Sequence, residues 1–223
     1  MNPEHDILIR VSPSQGKITI EEQEGLVTTR KEVDRQTLLS CFRNSLRIDD
    51  PGYASGFLPL NCLSVWQDRR EKRLVLWHPR LYADVSLYDT NYPHFPIPRM
   101  VFGFSVDLEG RVSRCRVGVA ADETPSPDTV MYHYPFSNVN SDTVGLCVGA
   151  NTMPAYKKLY KAMNLPGFLL SIPNNMDSYS SERNRLGLDY RELMEHLKDK
   201  APAYYYSDVL IPNGRTLEDF IKS

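Results

Sequence analysis

Cys147 is the residue of this 223-residue sequence whose surroundings best suit a chemical reaction. It lies between Gly145 and Gly149, after a polar run, Asn-Val-Asn-Ser-Asp-Thr, that favours a turn and leaves no room for a helix. Residues 130–134, which precede this run, have the alternation of a strand, and a helix is predicted to follow the cysteine. A cysteine on such a loop can be exposed, and its thiolate can act as a nucleophile.

The stretch YHYPFSNVNSDTVGLCVG, residues 132–149, resembles the active-site segment of ubiquitin-conjugating enzymes. In that family a strand leads into His-Pro-Asn, then a turn, a loop cysteine and a helix. Here Phe136-Ser137-Asn138 stands in place of His-Pro-Asn, and Cys147 stands at the nucleophile position. The missing histidine and proline and the slightly longer spacing are more similar to a bacterial branch, the PRTRC-system protein B type, or prokaryotic ubiquitin-conjugating family D. The resemblance covers roughly residues 74–165.

Three polar residues near Cys147 are candidates for supporting roles in such a site. Asn138 can donate its amide to an oxyanion, or it can only bond to its own turn, as asparagines often do. Asp142 can orient or deprotonate an attacking lysine, or it is a solvated turn residue. His133, in the preceding strand, is a weaker candidate. Cys147 itself has the alternative of a small buried apolar residue.

The resemblance implies an α+β fold of the ubiquitin-conjugating type, an antiparallel β-meander packed by helices, with N-terminal and C-terminal extensions. It implies an enzyme that accepts a ubiquitin-like modifier from an adenylating activating enzyme as a thioester on Cys147. The modifier would then pass to an amine of an acceptor protein, and a JAB-type peptidase is often encoded nearby. ATP would be used by the activating enzyme, and no cofactor or metal is implied for this chain.

Two other functions remain open from the sequence. The first is a catalytically inactive module of the conjugating fold that binds a ubiquitin-like protein or scaffolds an assembly, which the missing histidine and proline favour. The second is a hydrolase that uses a Cys147–His133 pair, although no third residue that would orient the histidine is evident.

The composition argues against several classes of partner. The net charge of −2 gives no sign of the basic face that nucleic-acid binding needs. No apolar run approaches the length of a membrane span, and the N-terminus lacks the apolar core of a signal peptide. We therefore expect a cytoplasmic protein with no membrane partner.

The four cysteines are too widely spaced for a typical metal or redox motif. They contain no C-x-x-C pair, and the five histidines show no H-x-x-x-H spacing. Two disulfides are possible from an even count, but a chain of this length does not need them. Cys41 is predicted to pack beside the apolar stripe of a helix, and Cys115 to lie inside a strand.

The N-terminal part is predicted to be an extension. Residues 6–31 alternate like a β-hairpin or meander, and residues 34–46 have the apolar spacing of a helix capped by Asp34. Residues 49–64 are rich in loop formers. We therefore predict an extension at residues 1–64 and a conjugating-type core at residues 65–223.

The core is predicted to begin with an antiparallel meander over residues 74–135, including a hairpin closed at Asp107–Gly110 and an extended loop at residues 91–98. A helix at residues 152–164, begun by Thr152 and stopped by Leu165-Pro166-Gly167, is expected to pack across one face. A polar, mobile loop is expected to follow at residues 171–187. Capping boxes at Asp189 and Thr216 predict two further helices.

Overall fold

The computed structural model describes residues 5–12, 17–24, 27–45 and 55–223, which fall into two units, Met1–Ala54 and Ser55–Ser223. The division comes earlier than the predicted boundary after residue 64, and a strand at Cys62–Gln67 runs across that predicted position. Residues 49–54 of the loop-rich stretch lie outside the described residues.

The first unit is an antiparallel sheet followed by a helix, as the alternation of its residues predicts. Strands β1 (His5–Ser12), β2 (Lys17–Glu24) and β3 (Val27–Val33) pair in chain order, and α1 spans Arg35–Ser45. Asp34 caps the helix by accepting the backbone N–H of Thr37 at 2.8 Å. Bonds from Thr37 lower the pKa of this carboxyl. The prediction for Cys41 is wrong, because its thiol is exposed and so are its neighbours Leu39 and Phe42.

The second unit has eight strands, which are β4 (Cys62–Gln67), β5 (Glu71–His78), β6 (Leu81–Leu87), β7 (Thr90–Ile97), β8 (Met100–Asp107), β9 (Val112–Ala120), β10 (Val130–Tyr132) and β11 (Pro212–Thr216). Six of them form an antiparallel sheet in the order β11-β10-β9-β8-β5-β4, while β6 and β7 pair only with each other. The unit is therefore α+β, as predicted, with a hairpin inserted between two neighbouring strands of the meander.

Strand β7 corrects the prediction of an extended loop at residues 91–98. Its two prolines, Pro93 and Pro96, cannot donate to a ladder, which is why the run reads as a loop in the sequence. The strand tolerates them because β6 is its only strand partner among the described residues, so it has a free edge. The pairing of β6 with β7 also shifts register between Ala83 and Val85, so the ladder is interrupted opposite Pro93.

The helices of the second unit are short and lie mainly after the candidate site. They are α2 (Leu165–Leu170), α3 (Tyr190–Leu197) and α4 (Leu217–Lys222), with 3₁₀ turns at Leu159–Asn164 and Ser181–Arg183 and a π turn at Tyr205–Val209. Both predicted capping boxes are present, at Asp189 with Glu192 and at Thr216 with Asp219.

The predicted helix at residues 152–164 is wrong for residues 152–158, and only Leu159–Asn164 is helical, as a 3₁₀ turn. Residues 152–158 have no helical structure, and the backbone of residues 155–156 pairs with the turn between β8 and β9. Tyr156 donates its N–H to the carbonyl of Gly110 at 2.7 Å, and Ala155 forms a bridge with Arg111. Tertiary pairing thus overrides a helical pattern. Pro166, expected to stop a helix, instead lies in the first turn of α2, where a missing N–H costs nothing.

The six-stranded sheet is covered on both faces. Leu74 and Leu76 of β5 belong to the main core, whereas Val75 between them belongs to a smaller cluster with Leu217 and Phe220 of α4. Side chains of successive strand residues point to opposite faces, so this alternation assigns the main core to one face and α4 to the other. The main core also contains the buried residues of α3.

The contact between the β8–β9 turn and residues 155–156 gives a stability prediction. Gly110 has φ +87°, and a Cβ there would lie 2.4 Å from the carbonyl oxygen of Tyr156. Left-handed strain and this clash together should make Gly110→Ala cost about 3 kcal/mol or more. Urea unfolding measures the loss.

Gly214→Ala is the matched control, since Gly214 has φ +76° but a Cβ added there would meet nothing within 4 Å. Only the strain term remains at this position, about 1–2 kcal/mol. Equal losses for the two variants would contradict the close approach of residues 155–156 to the turn.

Candidate functional site

Asn138 and Cys147 face each other across a short hairpin. The N–H of Cys147 donates to the carbonyl of Asn138 at 2.8 Å, and the N–H of Asn140 donates to the carbonyl of Gly145 at 3.0 Å. Between these bonds, Val139 bridges Leu146 in antiparallel fashion. We call residues 138–147 the site hairpin. It joins two residues that are nine positions apart in the sequence.

The turn of the site hairpin is shaped by Asn140. Its side-chain oxygen accepts the backbone N–H of Asp142 at 3.0 Å, the N–H of Thr143 at 2.9 Å and the hydroxyl of Thr143 at 3.1 Å. An asparagine that bonds to the backbone two and three residues ahead is a common way to form a turn. The turn-forming role considered for Asn138 therefore belongs to Asn140, which was not among the residues singled out from the sequence.

Strand β9 holds the returning arm of the site hairpin. Leu146 donates its N–H to the carbonyl of Cys115 at 2.9 Å, and Val144 accepts the N–H of Val117 at 3.0 Å. Gly145 bridges the residue between them, Arg116. The hairpin thus continues the edge of β9 where β10, paired only at residues 119–120, has left it.

The segment at residues 171–187 fixes the other arm of the site hairpin. Asn138 donates its N–H to the carbonyl of Asp177 at 2.8 Å, and the guanidinium of Arg183 donates to the carbonyl of Val139 at 2.9 Å. The same segment is joined to β6, where Asn174 exchanges backbone hydrogen bonds with Ser86 and Tyr88, each at 2.8 Å. The predicted polar loop is a hydrogen-bonded support for the site.

The side-chain amide of Asn138 is not engaged by any of the residues that the structure describes, although the residue is only 8% exposed. Its backbone has φ +62°, a left-handed conformation that asparagine tolerates better than most residues. The conformation explains why an asparagine suits the position, and the unengaged amide leaves a donor available beside Cys147.

A small cavity lies beneath Cys147. Asn138 and Cys147 both line it, and its volume is about 30 Å³. Tyr190 of α3, Tyr134 and Asn174 contribute the other polar groups of its wall. The apolar part comes from β6, β7, β8, α2 and α3 and includes Val85, Phe95, Ile97, Phe102, Leu169 and Met194. Cys147 itself is exposed, so a thiol accessible to large reagents stands above a mainly apolar recess.

Asp142 and His133 lie outside this cavity. Asp142 is exposed in the hairpin turn and lines a groove with Arg116, Arg215 and Asp219. His133 is half-buried in a separate groove that Cys147 does not line. Burial, and then the charges of Arg183 and Arg215, lower the pKa of His133. The roles considered for both residues stay predictions.

The predicted position of Cys147 just before a helix is wrong. A turn at residues 149–150 and then irregular chain follow the cysteine, and the first helical residue is Leu159. A helix dipole acts only within its first turn, so it does not stabilise the thiolate here. The place of Tyr190 and Asn174 in the cavity wall was not found from sequence. A capping box and an apolar stripe marked the helix of Tyr190, and no local pattern linked that helix to Cys147.

Comparisons with protein-family models, curated proteins and solved structures found no match for this chain. Among the described residues, no helix is long and apolar enough to span a membrane. Histidine, cysteine, aspartate and glutamate form no group of three or more that could hold a metal ion within the part of the chain that the structure describes. The function of the chain is therefore inferred from the geometry of the site itself.

The different burial of the four cysteines predicts a thiol titration. Cys41 and Cys147 are exposed, whereas burial raises the pKa of Cys62 and raises that of Cys115 to about 11. Because the thiolate is the reactive form, Ellman's reagent at pH 8 should label Cys41 and Cys147 rapidly and Cys115 only after unfolding.

Single Cys→Ser variants assign each fast thiol. Cys41→Ser should remove one of the two fast-reacting thiols, and Cys147→Ser should remove the other. A count of fast thiols that is unchanged by Cys147→Ser would show that this thiol is not accessible in the folded protein.

Proposed function

We propose that this protein is the conjugating enzyme of a bacterial ubiquitin-like modification system, with a fold of the ubiquitin-conjugating type. The observation that carries the proposal is the pairing of Cys147 with Asn138 across the site hairpin. The thiol is exposed, and the amide opposite it has no partner among the described residues. A nucleophile beside a free donor is what acyl transfer requires.

The proposed reaction has two acyl-transfer steps. In the first, the thiolate of Cys147 attacks the thioester carbonyl of a modifier held by its activating enzyme, so that a new C–S bond forms as the old one breaks. The activating enzyme's thiolate leaves and takes up a proton. In the second, an acceptor amine attacks the new thioester, loses its proton and displaces Cys147. Asn138 donates to the oxyanion that develops in each step.

The partners follow from this reaction. An adenylating activating enzyme uses ATP and supplies a ubiquitin-like modifier, and an acceptor protein provides the amine. A JAB-type peptidase is the partner that would reverse the modification. All of these proteins meet the chain near an exposed site, which accords with the exposure of Cys147 and of the hairpin turn.

A second candidate function is a binding module of the same fold that does not carry out chemistry. The cavity beneath Cys147 favours this function, because its described wall contains no histidine, lysine, arginine or carboxylate that could act as a base beside the thiol. Asp142 and His133, the two candidate bases, line other grooves. Such a module would bind the modifier without forming a thioester, and the charging assay separates the two functions.

Charging of the purified protein tests the nucleophile. Incubation with the activating enzyme and modifier encoded beside it and ATP should give a band on non-reducing gels that dithiothreitol removes. Cys147→Ala should abolish this band, because no other side chain replaces the thiol. Cys41→Ser, which removes the other exposed thiol, is the matched control and should charge normally. The binding-module function predicts modifier binding without such a band.

The role of Asn138 is tested by Asn138→Gly. Glycine adopts φ +62° without strain, whereas alanine would add about 1–2 kcal/mol of left-handed strain and obscure the result. If the amide serves the oxyanion, discharge of the pre-charged variant to an amine should slow by roughly a hundredfold or more.

Asn140→Ala is the contrasting variant. It removes the hydrogen bonds that shape the turn, so it should lower the free energy of unfolding by about 1–2 kcal/mol. Thermal melts run beside the discharge assay distinguish the two effects. Wild-type discharge by Asn138→Gly would assign the oxyanion to the backbone amides around Cys147.

A further inference from the structure

Tyr190 presents an unusual group to the cavity beneath Cys147. The residue is 0% exposed, and no described residue is placed to hydrogen-bond its hydroxyl. Burial raises its pKa to about 12, so the hydroxyl is protonated and can donate. Ser137 lies near enough to offset this effect in part, but not in hydrogen-bond geometry. A buried hydroxyl without a partner destabilises a fold, so its presence calls for an explanation.

The contrast with Tyr205 shows that the core can satisfy such a group. Tyr205 is also 0% exposed, and its hydroxyl donates to the carbonyl of Pro96 at 2.9 Å. Tyr205 does not line the cavity, whereas Tyr190 does. Of these two buried tyrosines, only the one that lines the cavity with Cys147 has an unpartnered hydroxyl.

The size and chemistry of the cavity restrict what it can hold. Its volume of about 30 Å³ has room for about two water-sized groups. Its described wall carries no charged side chain, so it suits a neutral group. Cys147 lies at one part of the wall and Tyr190 at another. A small neutral group with a polar atom would match both the volume and the free hydroxyl.

We propose that this cavity is an acyl pocket, which takes the atoms next to the carbonyl of an acyl group bound to Cys147 and hydrogen-bonds a polar atom among them through the hydroxyl of Tyr190. The proposal rests on the proposed role of Cys147 as an acyl carrier. It adds that the pocket selects the acyl group by a polar atom on the carbon next to the carbonyl.

The acylation is a thiol–thioester exchange. The Cys147 thiolate attacks the carbonyl carbon of the donor, the new C–S bond forms and the donor's C–S bond breaks. The donor thiolate leaves and takes up the proton that Cys147 released to solvent. No oxidant or cofactor is required. The atoms next to the carbonyl enter the cavity, and the polar atom among them hydrogen-bonds the hydroxyl of Tyr190.

Two isosteric acyl donors test the pocket without any partner protein. Glycolyl and propionyl thioesters of N-acetylcysteamine have equally long acyl groups, but only the glycolyl group ends in a hydroxyl. Intact-protein mass spectrometry, with peptide mapping to Cys147, gives the acylation rates. The wild-type protein should acylate about tenfold faster with glycolyl than with propionyl after correction for their rates with free cysteine, the effect of about one hydrogen bond.

Two tyrosine variants separate selection from folding. Tyr190→Phe should lose the preference for glycolyl while its melting temperature stays equal or rises, because it removes an unpartnered hydroxyl. Tyr205→Phe should keep the preference while its melting temperature falls, because it breaks the bond to Pro96. A merely structural role for the Tyr190 hydroxyl would not give this opposite pattern.

The outcomes distinguish failure of the pocket from failure of the proposed function. Equal corrected rates in the wild-type protein, or a preference that persists in Tyr190→Phe, would overturn the acyl pocket and leave the conjugating function in place. An absence of acylation at Cys147 with either thioester, while iodoacetamide still alkylates it, would overturn the acyl pocket. If the charged band in the assay with the activating enzyme is absent as well, the acyl-carrier role and both proposals are overturned.

Discussion

The edge of strand β9 is shared between two segments of the chain, and the position of Cys147 depends on how they share it. β10 pairs with residues 119–120 of β9, and the site hairpin pairs with residues 115–117. Backbone N–H and C=O groups at a buried edge need partners, so this division is strongly specified. It places Gly145 opposite Arg116, and the cross-hairpin bond then brings Cys147 to Asn138.

The support on the other side comes from irregular chain. Residues 171–187 contain only one short 3₁₀ turn, yet Asp177 and Arg183 bond to the site hairpin and Asn174 bonds to β6. The inserted β6–β7 hairpin therefore has a role in the site, because it anchors the segment that holds Asn138. Main-chain bonds from both sides leave the side chains of Asn138 and Cys147 free to act.

Local signals in the sequence were sufficient where neighbours in the chain decide the structure. The caps at Asp189 and Thr216 are complete within three residues, and both were predicted correctly. The signals failed at residues 152–158 and at β7, where pairing with distant segments overrides helical spacing and proline content respectively. The residues of the cavity wall could not be predicted for the same reason, because only the packing of α3 brings Tyr190 to the cavity that Cys147 lines.

The backbone at Val144 shows where the geometry of the site originates. Its φ of +50° is costly for a β-branched residue, by about 1–2 kcal/mol, and no local preference of valine favours it. The conformation is maintained because the carbonyl accepts a bond from Val117 and the side chain packs on the smaller core cluster. A free peptide with this sequence would relax at that residue. The alignment of Asn138 with Cys147 is thus a cooperative property of the folded unit and would be lost as that unit melts.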